Sequence, residues 1–311
     1  TLYYTAFPEC DVIARNAELR NGAEGEFVLR KFLSAMVDIP SEDHSLLTLD
    51  GSWAKEAHIH TVPVSHGIHV QDATVGASSN RHNPGFLLFE PGATEVSGRV
   101  YGFNLVYSGN HYASAQRSLQ CLTRVMQGIN PSEFRRELQP GESFETPEAV
   151  LCVSDGGFAE LSRRMHAFVT DHIIPQYWRL RERPVLYNDW EGCMFDFNQH
   201  RLLDLANRAK KLGCELFVLD DGWFGKRNDD TAGLGDYTVN KKKLPFGLAG
   251  LGKKINSLGM EFGLWFEPES VNMDSDLYRS HPDWALTDSF DPLLSRHQLL
   301  LDLTKPEVRD Y

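Results

Sequence analysis

Apolar and polar positions change their rhythm twice along this chain. Up to about residue 155, short apolar runs recur at Asp11–Arg15, Phe27–Leu33, Val100–Tyr107 and Ala149–Val153, separated by turn signals at Asn21-Gly22, Pro91-Gly92 and Pro140-Gly141. Runs of this length, so punctuated, predict strands of an antiparallel β-sandwich. From Gly157 the period lengthens: Phe158, Leu161, Met165 and Phe168 fall on one helical face, and a hinge rich in arginine follows from Pro175 to Pro184. Beyond Pro184 the texture is α/β. A strand at Val185–Tyr187 precedes a helix at Gln199–Leu212 stopped by Gly213, and a strand at Glu215–Leu219 precedes a helix at Leu248–Leu258 stopped by Gly259. A third strand covers Met260–Trp265. Strands joined by crossover helices imply a parallel sheet, open or closed into a barrel. The expected division is therefore a sandwich over 1–155, a helical linker over 156–183 and an α/β region over 184–311.

Composition supports a folded protein and narrows its partners. Of 311 residues 41% are apolar, which is ample for a packed interior. Thirty-one basic residues against 43 acidic ones give a net charge of −12, which repels polyphosphates and anionic bilayers and argues against nucleic acid or membrane partners. Short basic runs such as Arg135-Arg136 and Lys241-Lys242-Lys243 read as solvated surface. The five cysteines, Cys10, Cys121, Cys152, Cys193 and Cys214, are scattered without a CxxC pair, which fits a reducing, cytoplasmic setting better than a disulfide framework or a zinc site. The start of the chain lacks both an initiator methionine and a signal-peptide pattern, so a mature end and a cut edge are both open.

Each predicted parallel strand ends in acidic and aromatic residues: Asp189 and Trp190, then Asp220, Asp221 and Trp223, then Trp265, Glu267 and Glu269. In a (β/α)8 barrel such ends line the active-site mouth. A carboxylate can accept from two neighbouring sugar hydroxyls, and an indole covers the apolar face of a pyranose, so three such ends point to a sugar. A divalent cation at Asp220 and Asp221 is the competing reading, although adjacent strand residues point to opposite faces. Gly247–Lys254 nearly matches a phosphate-binding loop, but it has Lys254 where a Ser or Thr is needed and no strand directly before it. His58, His60, His66 and His69 lack the spacing of a metal site and read as surface or hydrogen-bonded histidines.

Arg183–Trp190, Leu216–Asp230 and Gly263–Glu269 closely resemble the α-galactosidases of glycoside hydrolase family 36, the melibiase and raffinase type. The likeness continues through Asp274–Trp284 and Leu301–Tyr311, and upstream through Leu47–Trp53, Gly76–Pro84 and Tyr101–Gly109, where it resembles the N-terminal sandwich of that family. The resemblance implies part of a β-sandwich followed by the first βα units of a (β/α)8 barrel. It further implies a retaining hydrolase of terminal α-linked galactose in melibiose, raffinose and related oligosaccharides. Trp190 and Trp265 would wall the pocket, Asp220 and Asp221 would hold galactose hydroxyls, and Arg296 would add a donor. No cofactor is implied, and a homotetramer is. The family's nucleophile belongs to a Lys-Trp-Asp type motif on the fourth strand, with the acid/base on a later one, and neither motif occurs here; the catalytic pair is expected beyond Tyr311 of a longer enzyme. Tyr187 and Gly192-Cys193-Met194 depart from the family pattern beside Trp190. A non-catalytic carbohydrate-binding fragment and a galactosyl-transferring relative remain as alternatives.

Overall fold

A computed structural model describes residues 1–40, 43–78, 80–287 and 294–311. The chain divides into two compact units, Thr1–Leu180 and Arg181–Tyr311.

In the first unit the alternating runs pair as two antiparallel sheets. The larger has the order Leu2–Phe7, Val12–Arg20, Ala149–Ser154, Val100–Leu105, His82–Phe89, Ser45–Ser52, Lys55–Pro63, with Ser143–Glu145 added beside Val12–Arg20. The smaller has the order Leu33–Pro40, Leu122–Ile129, His111–Arg117, Ile68–Asp72. One core joins them: Leu46, Phe86, Leu88 and Phe103 from the larger sheet pack with Ile39, Ala113, Ala115 and Val125 from the smaller. Large rings on one sheet meet small alanines on the other, and Phe86 stacks on Phe103 with centroids 4.9 Å apart. The run Phe27–Leu33, expected as one strand, is two. Phe27–Leu29 pairs with Arg136–Leu138 while Leu33–Pro40 pairs with Leu122–Ile129, so the chain changes sheet across Arg30, Lys31 and Phe32. A local apolar pattern does not show which partner each half takes.

The helix Gly157–Phe168 buries Leu161, Met165 and Phe168 against Val100, Val150 and Cys152. Its first residue must be glycine: φ is +80°, and a Cβ would lie 2.3 Å from the Thr94 carbonyl oxygen. A π-helical turn, Val169–Ile173, follows before Pro175.

In the second unit three parallel strands run side by side, Leu186–Asn188, Leu216–Leu219 and Glu261–Leu264. The central strand buries Phe217 and Leu219 fully, against Leu202, Ala206 and Ala209 of the helix Gln199–Lys211 and Leu251 and Ile255 of the helix Gly247–Ser257. Asn198 caps the first of these helices by accepting from the Arg201 amide at 3.0 Å, and Arg208, Lys210 and Lys211 lie in its last turn, where the helix dipole favours positive charge. The outer position of the first strand leaves Val185 and Leu186 more than half exposed. The segment that nearly matched a phosphate loop is the start of the second helix. A short antiparallel ribbon, Ser270–Asn272 with Gln298–Leu300, is stabilised by its own cluster of Val271, Leu277, Trp284, Leu299 and Val308.

Candidate functional site

The parallel register puts Asn188, Val218 and Gly263 level, so the residues that follow each strand emerge at one edge of the sheet. There the side chains join into a hydrogen-bonded cluster. Asn188 donates from Nδ2 to Asp220 Oδ2 at 2.6 Å and accepts at Oδ1 from the Trp190 amide at 2.8 Å. Asp189 is buried, and its Oδ1 accepts from the Asp220 amide at 2.7 Å, which stitches the first strand end to the second. Burial pushes the Asp189 carboxyl above the usual carboxylate range. The Cys193 thiol, pushed up to about 12 by burial and by Asp189, stays protonated and donates to Asp189 Oδ2 at 3.4 Å.

Asp220 and Asp221 part company at the turn. Asp220 remains partly exposed, its Oδ1 accepting from the Asp221 amide at 2.7 Å. Asp221 turns inward, where Nε and Nη2 of Arg227 donate to its two oxygens at 2.7–3.0 Å. The side chains of this pair are 2% and 0% exposed. The following turn passes through Gly222, whose φ is +98° and whose Cβ would lie 3.0 Å from the Phe195 ring. Lys243, read from the sequence as part of a solvated basic run, is in fact half-buried. Its Nζ donates to the carbonyls of Phe195, Gly222 and Arg227 at 3.1, 2.9 and 3.2 Å and lies over the Phe197 ring, while Lys241 and Lys242 remain exposed. Burial holds the Lys243 ammonium below its ordinary pKa. The correction has a plain cause: three identical letters in a row do not show which side chain turns inward.

Three indoles at the strand ends do different work. Trp223 is buried and donates from Nε1 to the Trp265 carbonyl at 3.0 Å, so it is a packing residue. Trp190 is partly exposed, edge-on to Phe195, and Trp265 is partly exposed, stacked on Phe224 at 6.5 Å between centroids. Glu267 accepts from Gln298 Nε2 at 2.7 Å, and Arg296 Nη1 stands 3.8 Å from its other oxygen. Arg296 and His297 both have positive φ, +54° and +60°, an uncommon pair for residues with a Cβ.

The structure thus brings Trp190, Asp220 and Asp221 into one bonded group through Asn188 and Asp189. It anchors Trp265 to the same edge through Leu219 and Trp223, and it sets Arg296 beside Glu267. Sequence reasoning passed over Asn188 and Arg227, although both stand inside the motifs it singled out, and over Asn272, which had no local signal. Among the described residues, a group with three possible metal ligands within 4.8 Å of one another is Glu9, Cys10 and His172 of the first unit, where His172 and Glu9 already share a hydrogen bond. A cavity of about 790 Å³ lined by Lys226, Asp236, Lys241, Asp276, His281 and Tyr311 touches none of the five candidate sugar-binding residues. The chemistry suited to a sugar sits at the strand ends.

Two family models match the chain in sequence: the glycosyl hydrolase family 36 N-terminal domain over residues 1–139 and Melibiase over residues 143–311. The alpha-galactosidase AgaA of Geobacillus stearothermophilus is 45% identical over all of this chain and 43% of its own length. The probable alpha-galactosidase C of Aspergillus terreus is 41% identical with the same two coverages. Among solved structures, the family 36 alpha-galactosidase AgaB of G. stearothermophilus superposes with a TM-score of 0.96 at 45% identity, over 99% of this chain and 43% of that one. A variant of AgaA in complex with raffinose gives 0.97 at 44% identity, over 100% of this chain and 43% of that one. The chain therefore spans less than half the length of these relatives, and its fold is their sandwich followed by the start of the catalytic (β/α)8 barrel. With both family models and the full-length likeness in agreement, the chain belongs to glycoside hydrolase family 36, the melibiase family.

Proposed function

We propose that these residues are the sugar-recognition portion of a retaining α-galactosidase that releases terminal α-linked galactose from melibiose, raffinose and related oligosaccharides. One observation carries the reading: a partly exposed carboxylate, Asp220, held by Asn188, follows the central parallel strand, and partly exposed indoles, Trp190 and Trp265, follow the strands on either side of it. The names of the relatives support it, as does the raffinose complex of one of them.

In this reading Asp220 and Asp221 accept from galactose hydroxyls. Trp190 and Trp265 cover the apolar faces of the ring, and Arg296 donates from the far side. Galactose differs from glucose in the direction of O4, and a carboxylate placed for the axial hydroxyl is left unpaired by the wrong epimer. The reaction needs two further carboxyl groups about 5–5.5 Å apart, one attacking the anomeric carbon and one protonating the departing oxygen before activating water. Those belong to the part of the barrel beyond these residues. Both roles fall to carboxyl groups, and the reading calls for no cofactor. Five free cysteines agree with a cytoplasmic setting, and a homotetramer is the assembly expected of the full enzyme.

Hydrolysis of p-nitrophenyl α-galactoside by the full-length enzyme tests the proposal. Asp220→Asn is expected to lower kcat/KM by about ten- to a hundredfold, the worth of one or two charge-assisted hydrogen bonds. Cleavage of another glycoside in place of the α-galactoside would sink it. Product analysis at high acceptor concentration separates hydrolysis from galactosyl transfer.

A further inference from the structure

The Asp221–Arg227 pair is one end of a longer buried chain of polar contacts. The remaining nitrogen of the Arg227 guanidinium, Nη1, donates to Asn272 Oδ1 at 3.0 Å and to the Ala232 carbonyl at 3.3 Å. Asn272 is fully buried, and its amide has no capacity to spare. Oδ1 also accepts from the Leu234 amide at 2.9 Å, while Nδ2 donates to the carbonyls of Asp230 at 3.2 Å and His297 at 3.0 Å. The His297 carbonyl lies in the turn whose left-handed backbone presents Arg296. An uninterrupted line of short contacts thus runs from the carboxylate at the second strand end to the turn that carries the candidate guanidinium. Arg227 makes three contacts to the Asp221 carboxylate, the single Nε–H forked across both oxygens and one Nη2–H on Oδ2, leaving about one of its four lone-pair sites for anything else.

We propose that Arg227 is a positioning residue for sugar recognition: with Asn272 it fixes the Asp221 carboxylate and the Arg296–His297 turn as one unit, setting the separation between the carboxylate and guanidinium sides of the galactose site. The inference rests on the reading of Asp221 and Arg296 as galactose contacts. A planar fork can hold both oxygens of Asp221 and still reach Asn272; a lysine ammonium can do one or the other.

The test uses the full-length enzyme with Arg227→Lys, Asn272→Ser and Arg296→Ala. Calorimetric titration with galactose, steady-state kinetics on p-nitrophenyl α-galactoside and thermal scans are run on each. Arg227→Lys is expected to raise the galactose Kd and the KM at least tenfold. Asn272→Ser, which leaves every Arg227–Asp221 contact in place, should raise both at least threefold, with KM moving more than kcat. Arg296→Ala should cost less affinity in the Asn272→Ser background than in the wild type, because the turn is already free. Folded variants with wild-type Kd and KM would overturn the proposal, as would strictly additive effects of Asn272→Ser and Arg296→Ala. Should Arg227→Lys fail to fold, Asn272→Ser and its cycle with Arg296→Ala decide; should neither fold, the network is a folding element and the proposal fails. A wild-type enzyme that ignores galactose overturns the α-galactosidase reading instead.

Discussion

The two units bury polar groups in opposite ways. In the sandwich the buried polar side chains are neutral, and some are only half satisfied. His44 Nδ1 meets Thr123 Oγ1 at 2.7 Å and His111 Nδ1 meets Ser78 Oγ at 3.2 Å, yet Nε2 of both rings, Ser34 Oγ and Gln127 Oε1 have no partner among the described residues. In the α/β unit the buried groups include a carboxylate and a guanidinium, and among the described residues no buried side-chain donor or acceptor there lacks a partner. The difference follows from cost. A neutral atom left short of one bond costs about 1–3 kcal/mol, which a large apolar core can absorb, whereas an unpaired buried charge costs several times more. Charge is retained inside the second unit where an opposite charge and neighbouring polar groups take up nearly all of its hydrogen-bonding capacity, and that pairing sits at the strand ends.

The sharpest way to break this contrast is to remove the cation. Arg227→Met leaves the Asp221 carboxylate buried among groups arranged to receive it, and the expected loss is about 3–5 kcal/mol. Urea unfolding followed by tryptophan fluorescence reads it, because four of the six tryptophans, Trp190, Trp223, Trp265 and Trp284, lie in the second unit, while in the first Trp53 is 87% exposed and Trp178 sits partly exposed at its very end. The double variant Asp221→Leu/Arg227→Met should recover part of the loss. A single variant as stable as the parent would mean that the network is not the charge-pairing device described above.

Little of that network was legible in the sequence. The helices were, because Leu202, Leu205, Ala206 and Ala209 repeat at helical spacing, and the parallel strands were, because their apolar runs end at acidic and aromatic residues. Trp190, Asp220 and Trp265 could be picked out for the same reason: position at a strand end is a one-dimensional signal. The pairing of Asp221 with Arg227 is not. It depends on a turn through Gly222 and on the ribbon Ser270–Asn272, a strand of three residues with no alternation to betray it. Burial of Asn272 and inward rotation of Lys243 are decided by loops that close over them, and such contacts leave no period in the chain.

A second, smaller effect should separate the units by pH. Burial lowers the pKa of His44 and His111 in the sandwich below the ordinary 6.5, outweighing the nearby carboxylates of Glu90, Asp43 and Asp72, which pull the other way. The unfolded chain therefore binds protons at these rings before the folded one does. Their contribution is complete above pH 6.5 and is lost as the pH falls below that value. Asp189 in the second unit has the opposite sign: its raised carboxyl pKa gives a contribution that is complete below the unfolded value of 3.8 and fades as the pH rises through the folded one. Mild acidification should then weaken the sandwich first. Urea midpoints measured from neutral to mildly acidic pH check this, and the variant His44→Gln/His111→Asn should flatten the slope. An unchanged slope would assign the acid sensitivity elsewhere.

The smallest expected effect supplies the control. Arg124 grips Asp38 on the smaller sheet of the sandwich with the same fork geometry that Arg227 uses, Nε to Oδ1 at 2.7 Å and Nη2 to Oδ2 at 2.8 Å. The arginine holds the Asp38 carboxyl below the usual carboxylate range, and both pairs are joined by two-point hydrogen bonding. Solvent makes the distinction: the Arg124 and Asp38 side chains are 43% and 33% exposed, so water can take over either charge once its partner is gone. Arg124→Ala should therefore shift the unfolding transition by no more than the scatter between repeat scans, while Arg227→Met moves it plainly. If the exposed pair proved as costly to break as the buried one, bidentate geometry rather than desolvation would be what the second unit exploits, and the contrast between the units would collapse. If it is silent, the stability of the strand-end network comes from the pairing of its charges away from water, and the same pairing holds Asp221 in one place.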